Sequence, residues 1–284
     1  MTRLVALIGK PLKRRHSQVM HDAAFDACGI DARYVLRELE PDQVEGVVAS
    51  ARGNGWLGLG VTAPYKRVVA ELVDEVEADA QTIGAVNNVV RTDDGRLVGF
   101  NTDAPGFRAG VERAMDRPLA GADVVVAGAG GAAHAVVFAC LTAGAARVTV
   151  GSRSPDAAAS LLARFSGIGA GRRAATGLDD AFVAAARSTD VAVNATTVGM
   201  IDPGMTIPVD DLRADATVFD CVYVPAETAL LAAARARGLR AANGSEMLIA
   251  QAAAAFERWT GVGGMADVMR TAVAPLLADA TVRA

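Results

Sequence analysis

The stretch Val124-Val125-Val126-Ala127-Gly128-Ala129-Gly130-Gly131-Ala132-Ala133 constrains this chain more than any other. An apolar run ends in glycines, and helical apolar spacing follows to about Leu141. The pattern reads as strand, tight turn and helix, with small residues spaced G-x-G-x-x-A. Gly128 permits the turn, and Gly130 lets a pyrophosphate approach the backbone. Ala133 is small enough for close helix–strand packing. The free N–H groups and positive dipole end of such a helix would face the phosphates.

The next strand bears on which dinucleotide fits. Arg147-Val148-Thr149-Val150 is rich in β-branched residues and ends at Gly151-Ser152-Arg153-Ser154. NAD sites usually carry Asp or Glu here, about 20 residues past the glycines, to hold the ribose 2′-OH. Ser152 and Arg153 stand there instead. A hydroxyl and a guanidinium suit a 2′-phosphate, which Arg grips through two parallel charge-assisted bonds. The expected cofactor is therefore NADP.

A chain of 284 residues has room for about two domains. With 52% apolar and 21% charged residues it reads as an ordinary soluble globular protein. A net charge of −4, with no basic run longer than Lys13-Arg14-Arg15, argues against nucleic acid as a partner. No apolar stretch reaches membrane-spanning length, and no signal-peptide pattern is present. Cys28, Cys140 and Cys221 form neither a metal spacing nor a disulfide framework, so no metal and a cytoplasmic setting are expected. His16, His21 and His134 add no zinc spacing. His134, on the helix after the glycine turn, reads as a surface residue.

Ahead of the glycine turn, strands are expected at Leu4 to Ile8, Tyr34 to Leu36 and Trp56 to Val61. Helices are expected from Val19 to Cys28 and from Pro41 to about Arg52. Asn88 to Arg91 and Leu97 to Phe100 flank Asp94-Gly95 as a hairpin. Residues 1–104 thus form a separate α/β domain, and Asp103 to Met115 a connecting helix. Residues 105–243 complete the nucleotide domain, with strands at Val191 to Asn194, Thr217 to Cys221 and Leu239 to Ala242. Helical patterns return in 244–284. Thr62, Lys66, Asn87 and Asp103 sit at or near strand ends, where ligands of open α/β sheets bind. Lys66 and Asp103, if the fold joins them, make a proton relay beside a hydride acceptor. Read singly, each has a plain structural role, a solvated Lys and a helix-capping Asp.

Several blocks together resemble the shikimate/quinate dehydrogenases. They are Val61-Thr62-Ala63-Pro64-Tyr65-Lys66, Gly84-Ala85-Val86-Asn87, Asn101-Thr102-Asp103, Gly128 to Ala132, Asn194 to Met200, and Gly244 through Gln251. Their order and spacing hold along nearly the whole chain. The resemblance implies an N-terminal α/β substrate domain, a Rossmann-type doubly wound NADP domain and a cleft between them. It implies that the C-terminal helices return to the first domain. By resemblance, Lys66 is the catalytic acid/base and Asp103 pairs with it. Thr62, Asn87, Gln251 and Tyr223 would contact substrate. Gly128, Ala129, Gly130, Gly131, Ala132, Ser152, Arg153 and Ser154 would contact the cofactor, with Cys221 and Gly244 near the nicotinamide. The resemblance also implies a monomer or homodimer in the shikimate pathway of aromatic amino acid biosynthesis.

The chain departs from the family in one turn. Where the family has roughly Ser-x-Ser-Pro before a His, this sequence has Arg15-His16-Ser17-Gln18 ahead of His21. Ser17 keeps the second serine as a carboxylate ligand. Arg15 replaces the first, and could clamp a carboxylate, fill the pocket or point to solvent. Shikimate, quinate, aminoshikimate and related ring acids therefore stay open as substrates. Pro155-Asp156 stands where the family's second basic clamp residue often lies, which leaves a weaker NADP preference or dual cofactor use open. Two other readings compete. A methylenetetrahydrofolate dehydrogenase would need a pterin-stacking site, and aromatic residues are only 5%. A ligand-sensing module with a decayed site would be expected to lose Lys66 or Asp103, and both are present.

Overall fold

The computed structural model describes residues 2–200 and 202–278. It divides into two compact units. One comprises the residues up to Thr102 together with Ile249–Pro275, and the other Asp103–Leu248 with the end of the last helix.

The first unit runs β1 (Arg3–Gly9), α1 (His16–Ala27), β2 (Ala32–Glu38), a 3-10 turn at Pro41–Gln43, α2 (Val44–Ser50), β3 (Trp56–Val61), α3 (Lys66–Leu72), β4 (Glu75–Val76), α4 (Ala78–Ile83), β5 (Asn88–Arg91) and β6 (Leu97–Phe100). Its sheet has the order β2-β1-β3-β5-β6-β4. β1 is parallel to β2 and β3, whereas β5 runs antiparallel to β3 and β6. The β5–β6 hairpin closes through Gly95 at φ +85°, a conformation that favours glycine. Between β3 and β5 the approach is so close that a Cβ on Gly58 would lie 2.0 Å from the Val89 carbonyl.

The helix α1 begins earlier than expected, at His16 rather than Val19. His16, Met20 and Ala24 form its buried stripe, and a histidine does not register in an apolar count. Arg15 is therefore the residue before the helix, and His16-Ser17-Gln18 is its first turn rather than a preceding loop. Helices α3 and α4 had no strong periodicity: α3 buries only Val69, and α4 only Ala80 and Ile83. Both depend on packing against neighbouring elements more than on their own pattern.

The second unit runs α5 (Asp103–Met115), β7 (Asp123–Ala127), α6 (Gly131–Thr142), β8 (Arg147–Gly151), α7 (Pro155–Arg164), β9 (Arg172–Thr176), α8 (Asp180–Ala186), β10 (Val191–Asn194), β11 (Thr217–Asp220), α9 (Ala229–Ala236) and β12 (Arg240–Asn243). The chain ends in α10 (Ser245–Thr260) and α11 (Ala266–Ala278). The second sheet is wholly parallel, in the order β12-β11-β10-β7-β8-β9. Chain order reverses between β7 and β10, the arrangement of a doubly wound dinucleotide fold. Val124 to Ala127 and Val191 to Asn194 are buried on both faces, as strands flanked by helices on both sides must be. The expected strands reappear within a residue or two at each end. Two strands lie outside the expected set: the two-residue β4, and β9, which among the described residues pairs with β8 alone and whose mostly exposed Arg-Arg-Ala-Ala-Thr shows no alternation.

α10 joins the first unit from Ile249 onward. The Trp259 indole N–H donates to the Val89 carbonyl at 2.9 Å, and Phe256 packs on Phe25 at 5.1 Å between ring centres. Among the described residues no helix is long and apolar enough to cross a membrane.

Candidate functional site

Sheet register gathers the first unit's candidates on one edge. Ile8 pairs with Val61, Gly60 with Asn88, and Asn88 with Phe100. The segments leaving β1, β3 and β6, and the one entering β5, therefore emerge together. Thr62 follows β3 directly, and its N–H donates to the Ile8 carbonyl at 2.9 Å. Lys66 opens α3 and is half-buried, and its carbonyl accepts the Val86 N–H. Tyr65, just before it, is buried and donates its hydroxyl to the Leu39 carbonyl at 2.6 Å, which fixes the start of the helix.

Asn87 is buried at the centre of a network that sequence reading did not assemble. Its Nδ2 donates to Thr102 Oγ1 at 3.1 Å, and its Oδ1 accepts from the Thr102 N–H at 2.8 Å and from Asn88 Nδ2 at 2.9 Å. Thr102 Oγ1 also accepts from Asn88 Nδ2 at 2.8 Å and donates to Gln251 Oε1 at 3.4 Å. Thr102 thereby aligns two substrate candidates, Asn87 and Gln251, that come from opposite ends of the chain. Asp103 follows it and opens α5.

The altered turn takes a definite form. Arg15 is exposed, and its Nε donates to Gln18 Oε1 at 3.1 Å. The two departures from the family pattern thus bond each other, and Ser17 lies between them, half-buried in the first turn of α1. His21, one turn further on, is fully enclosed. It stacks on Tyr34 at 4.5 Å and meets the Trp259 ring at 5.1 Å. Burial pushes its pKa down to about 3, so it is neutral and structural at ordinary pH.

In the second unit one row of the sheet runs Asn243, Asp220, Asn194, Ala127, Gly151 in register. The residues just past this row form the rim of the parallel sheet: Gly244, Cys221, Ala195, Gly128 and Ser152. Gly128 has φ +113°, and its N–H donates to the Gly151 carbonyl at 2.7 Å. A Cβ there would lie 2.9 Å from Thr196 and 3.0 Å from the Ala195 carbonyl. Gly130 precedes α6 without any side-chain cap. A Cβ on Gly130 or Gly131 would meet nothing within 4 Å, and Ala132 beside them is exposed. An uncapped helix start facing open space, with the backbone bare, suits a pyrophosphate. Ala133 is fully buried, as close helix–strand packing requires.

The adenosine-side candidates divide by role. Ser154 caps α7, with Oγ accepting the Ala157 N–H at 3.4 Å, and Ser152 Oγ accepts the Ser154 N–H at 3.3 Å. Arg153 between them is exposed and makes no ion pair among the described residues. Gly244 admits no side chain, because a Cβ would lie 2.3 Å from the Cys221 carbonyl. Burial pushes the Cys221 thiol well above its ordinary pKa, and the carboxylates of Asp220 and Asp103 add to this. Tyr223 is half-buried in the segment after β11. His134 Nδ1 lies 2.9 Å from the Gly130 carbonyl, beside Phe165. Among the described residues no cluster of His, Cys, Asp and Glu could hold a metal ion.

Comparison with known proteins agrees with this architecture. The shikimate dehydrogenase (NADP(+)) of Methanopyrus kandleri is 39% identical over 276 residues, covering 96% of this chain and 95% of that protein. This chain belongs to the shikimate dehydrogenase family. Residues 7–89 match the shikimate dehydrogenase substrate binding domain, and residues 244–274 the shikimate 5′-dehydrogenase C-terminal domain. The solved shikimate 5-dehydrogenase of Thermus thermophilus, in complex with NADP(H) and shikimate, superposes with a TM-score of 0.85 at 34% identity, covering 96% of this chain and 99% of that one. The quinate dehydrogenase of Corynebacterium glutamicum, in complex with NAD, gives a TM-score of 0.86, also at 34% identity and with the same coverage.

Proposed function

We propose that this protein is an NADP-dependent dehydrogenase that interconverts a ring ketone and a ring hydroxyl, with 3-dehydroshikimate and shikimate as the leading pair. The observation that carries this reading is the gathering of Thr62, Asn87 and Thr102 at one edge of the first sheet, with Lys66 opening the helix after Thr62 and Gln251 of α10 bonded to Thr102. The amides of Asn87 and Gln251 and the hydroxyl of Thr102, with the Lys66 ammonium to reach them, would suit a small polyhydroxylated ring. Bound NADP would supply the hydride acceptor or donor. In the oxidative direction Lys66 takes the proton from the reacting hydroxyl, and Asp103 orients that hydroxyl and stabilises the ammonium formed. Asn87 and Gln251 hold the neighbouring hydroxyls, fixed in place by Thr102. Thr62 and Tyr223 complete the substrate contacts.

The ring carboxylate falls to Ser17 and the start of α1. Arg153, exposed and without an ion pair among the described residues, takes the 2′-phosphate, with Ser152 beside it. The Arg15–Gln18 pair favours a second reading, in which the ring acid is quinate or another relative of shikimate. Releasing Arg15 from Gln18 would offer a bidentate carboxylate ligand where the family turn offers a hydroxyl.

Initial rates with NADP⁺ and NAD⁺, against shikimate, quinate and aminoshikimate, test both readings. Fast shikimate oxidation with NADP⁺ supports the first. Turnover of quinate without shikimate supports the second. No turnover of any ring acid, with NADP⁺ still bound, would sink the dehydrogenase assignment.

A further inference from the structure

The second unit carries a buried carboxylate that makes no ion pair among the described residues. Asp220 ends β11 and has no exposed surface. Its Oδ1 accepts from Asn194 Nδ2 at 2.8 Å and from the Val222 N–H at 3.0 Å, and its Oδ2 accepts from Thr228 Oγ1 at 2.7 Å. Burial raises its pKa, and the bonds from Thr228, Val222 and Asn194 oppose the rise. Such a group is costly to bury unless donors surround it.

The donors show what the group organises. Asn194 ends β10, and its Oδ1 collects Thr196 Oγ1 at 2.7 Å, the Thr196 N–H at 3.2 Å and Thr206 Oγ1 at 3.0 Å. Its Nδ2 also reaches the Val198 carbonyl. Thr228 caps α9. Asp220 therefore ties together the segment after β10 and the segment after β11, and Thr196 packs against the Gly128 turn. Those segments leave the β10–β11–β12 half of the sheet. The β7–β8–β9 half carries the glycine turn and Arg153. In a doubly wound fold the two halves take the two mononucleotides of one ligand. The half bearing Arg153 takes the adenosine 2′-phosphate, which leaves the Asp220 half to the nicotinamide.

We propose that Asp220 is a positioning residue for the nicotinamide end of the cofactor site. It acts through Asn194, Thr196 and the Cys221–Tyr223 segment, and has no part in holding the adenosine end. This rests on the reading that the second unit binds NADP.

The test compares two ligands by calorimetry on the full chain. NADP⁺ carries the nicotinamide, and adenosine 2′,5′-bisphosphate lacks it. Asp220→Asn keeps the shape but replaces one acceptor oxygen by a donor. It is expected to weaken NADP⁺ by about tenfold and to leave the bisphosphate within twofold. A general loosening of the fold would weaken both ligands together, and that outcome overturns the proposal, as does unchanged NADP⁺ binding. If Asp220→Asn does not fold, Thr228→Val removes one bond to the carboxylate and should show the same selectivity to a smaller degree, with Thr228→Ser restoring wild-type binding. Wild-type protein that binds neither ligand would refute the cofactor reading itself, so the two failures are distinguishable.

Discussion

His21 sets an acid limit on the first unit that can be worked out from its surroundings. It lies among Tyr34, Phe256 and Trp259, fully buried, with its pKa lowered from 6.5 to about 3 by loss of solvation. Well above pH 6.5 neither the folded nor the unfolded chain protonates this ring, and it contributes nothing to the pH dependence. Below that, the unfolded chain binds a proton that the folded chain refuses. Stability therefore falls as pH falls, by up to about 1.4 kcal/mol per pH unit, until the folded ring also protonates near pH 3. Between pH 7 and pH 5 the His21 contribution amounts to roughly 2 kcal/mol. His21→Phe removes the proton site and keeps a flat apolar ring. Urea unfolding followed by tryptophan fluorescence reads the right unit, because both tryptophans, Trp56 and Trp259, belong to it. The stability lost between pH 7 and pH 5 should be about 2 kcal/mol smaller in the variant than in the parent. Any packing cost of the larger ring appears at both pH values and cancels in the difference. Equal losses in the two proteins would show that His21 is hydrated or already protonated in the folded state, and would refute the reasoning.

Three further outcomes are expected. Lys66→Ala should lower kcat by about 10²–10⁴-fold while calorimetric NADP⁺ binding persists, and near-normal turnover would remove Lys66 from the acid/base role. Arg153→Ala should weaken NADP⁺ at least roughly tenfold more than NAD⁺, since only the former has a 2′-phosphate to lose; equal effects would mean that Arg153 is not the clamp. Thr102→Val deletes the hydroxyl that aligns Asn87 and Gln251, and should raise KM for the ring acid about tenfold with NADP⁺ affinity unchanged. An unchanged KM would show that these side chains are held by other means.

Much of this protein is written in short stretches of sequence. The glycine turn, the β-branched strands around it and the Arg153 that replaces an acid are properties of neighbouring residues, so spacing and residue type suffice to read them. The β5–β6 hairpin is legible for the same reason, because its turn residues dictate the local backbone. Histidine in a buried stripe hid the true start of α1, and an exposed edge position hid β9. The site itself depends on partners far apart in the chain. Thr102 meets Asn87 across 15 residues and Gln251 across 149, and Asp220 meets Asn194 across 26. No local propensity encodes those meetings. A pleated sheet fixes which strand ends share an edge, and only then can Thr102 and Asp220 gather hydrogen-bond partners that lie far from them in the chain.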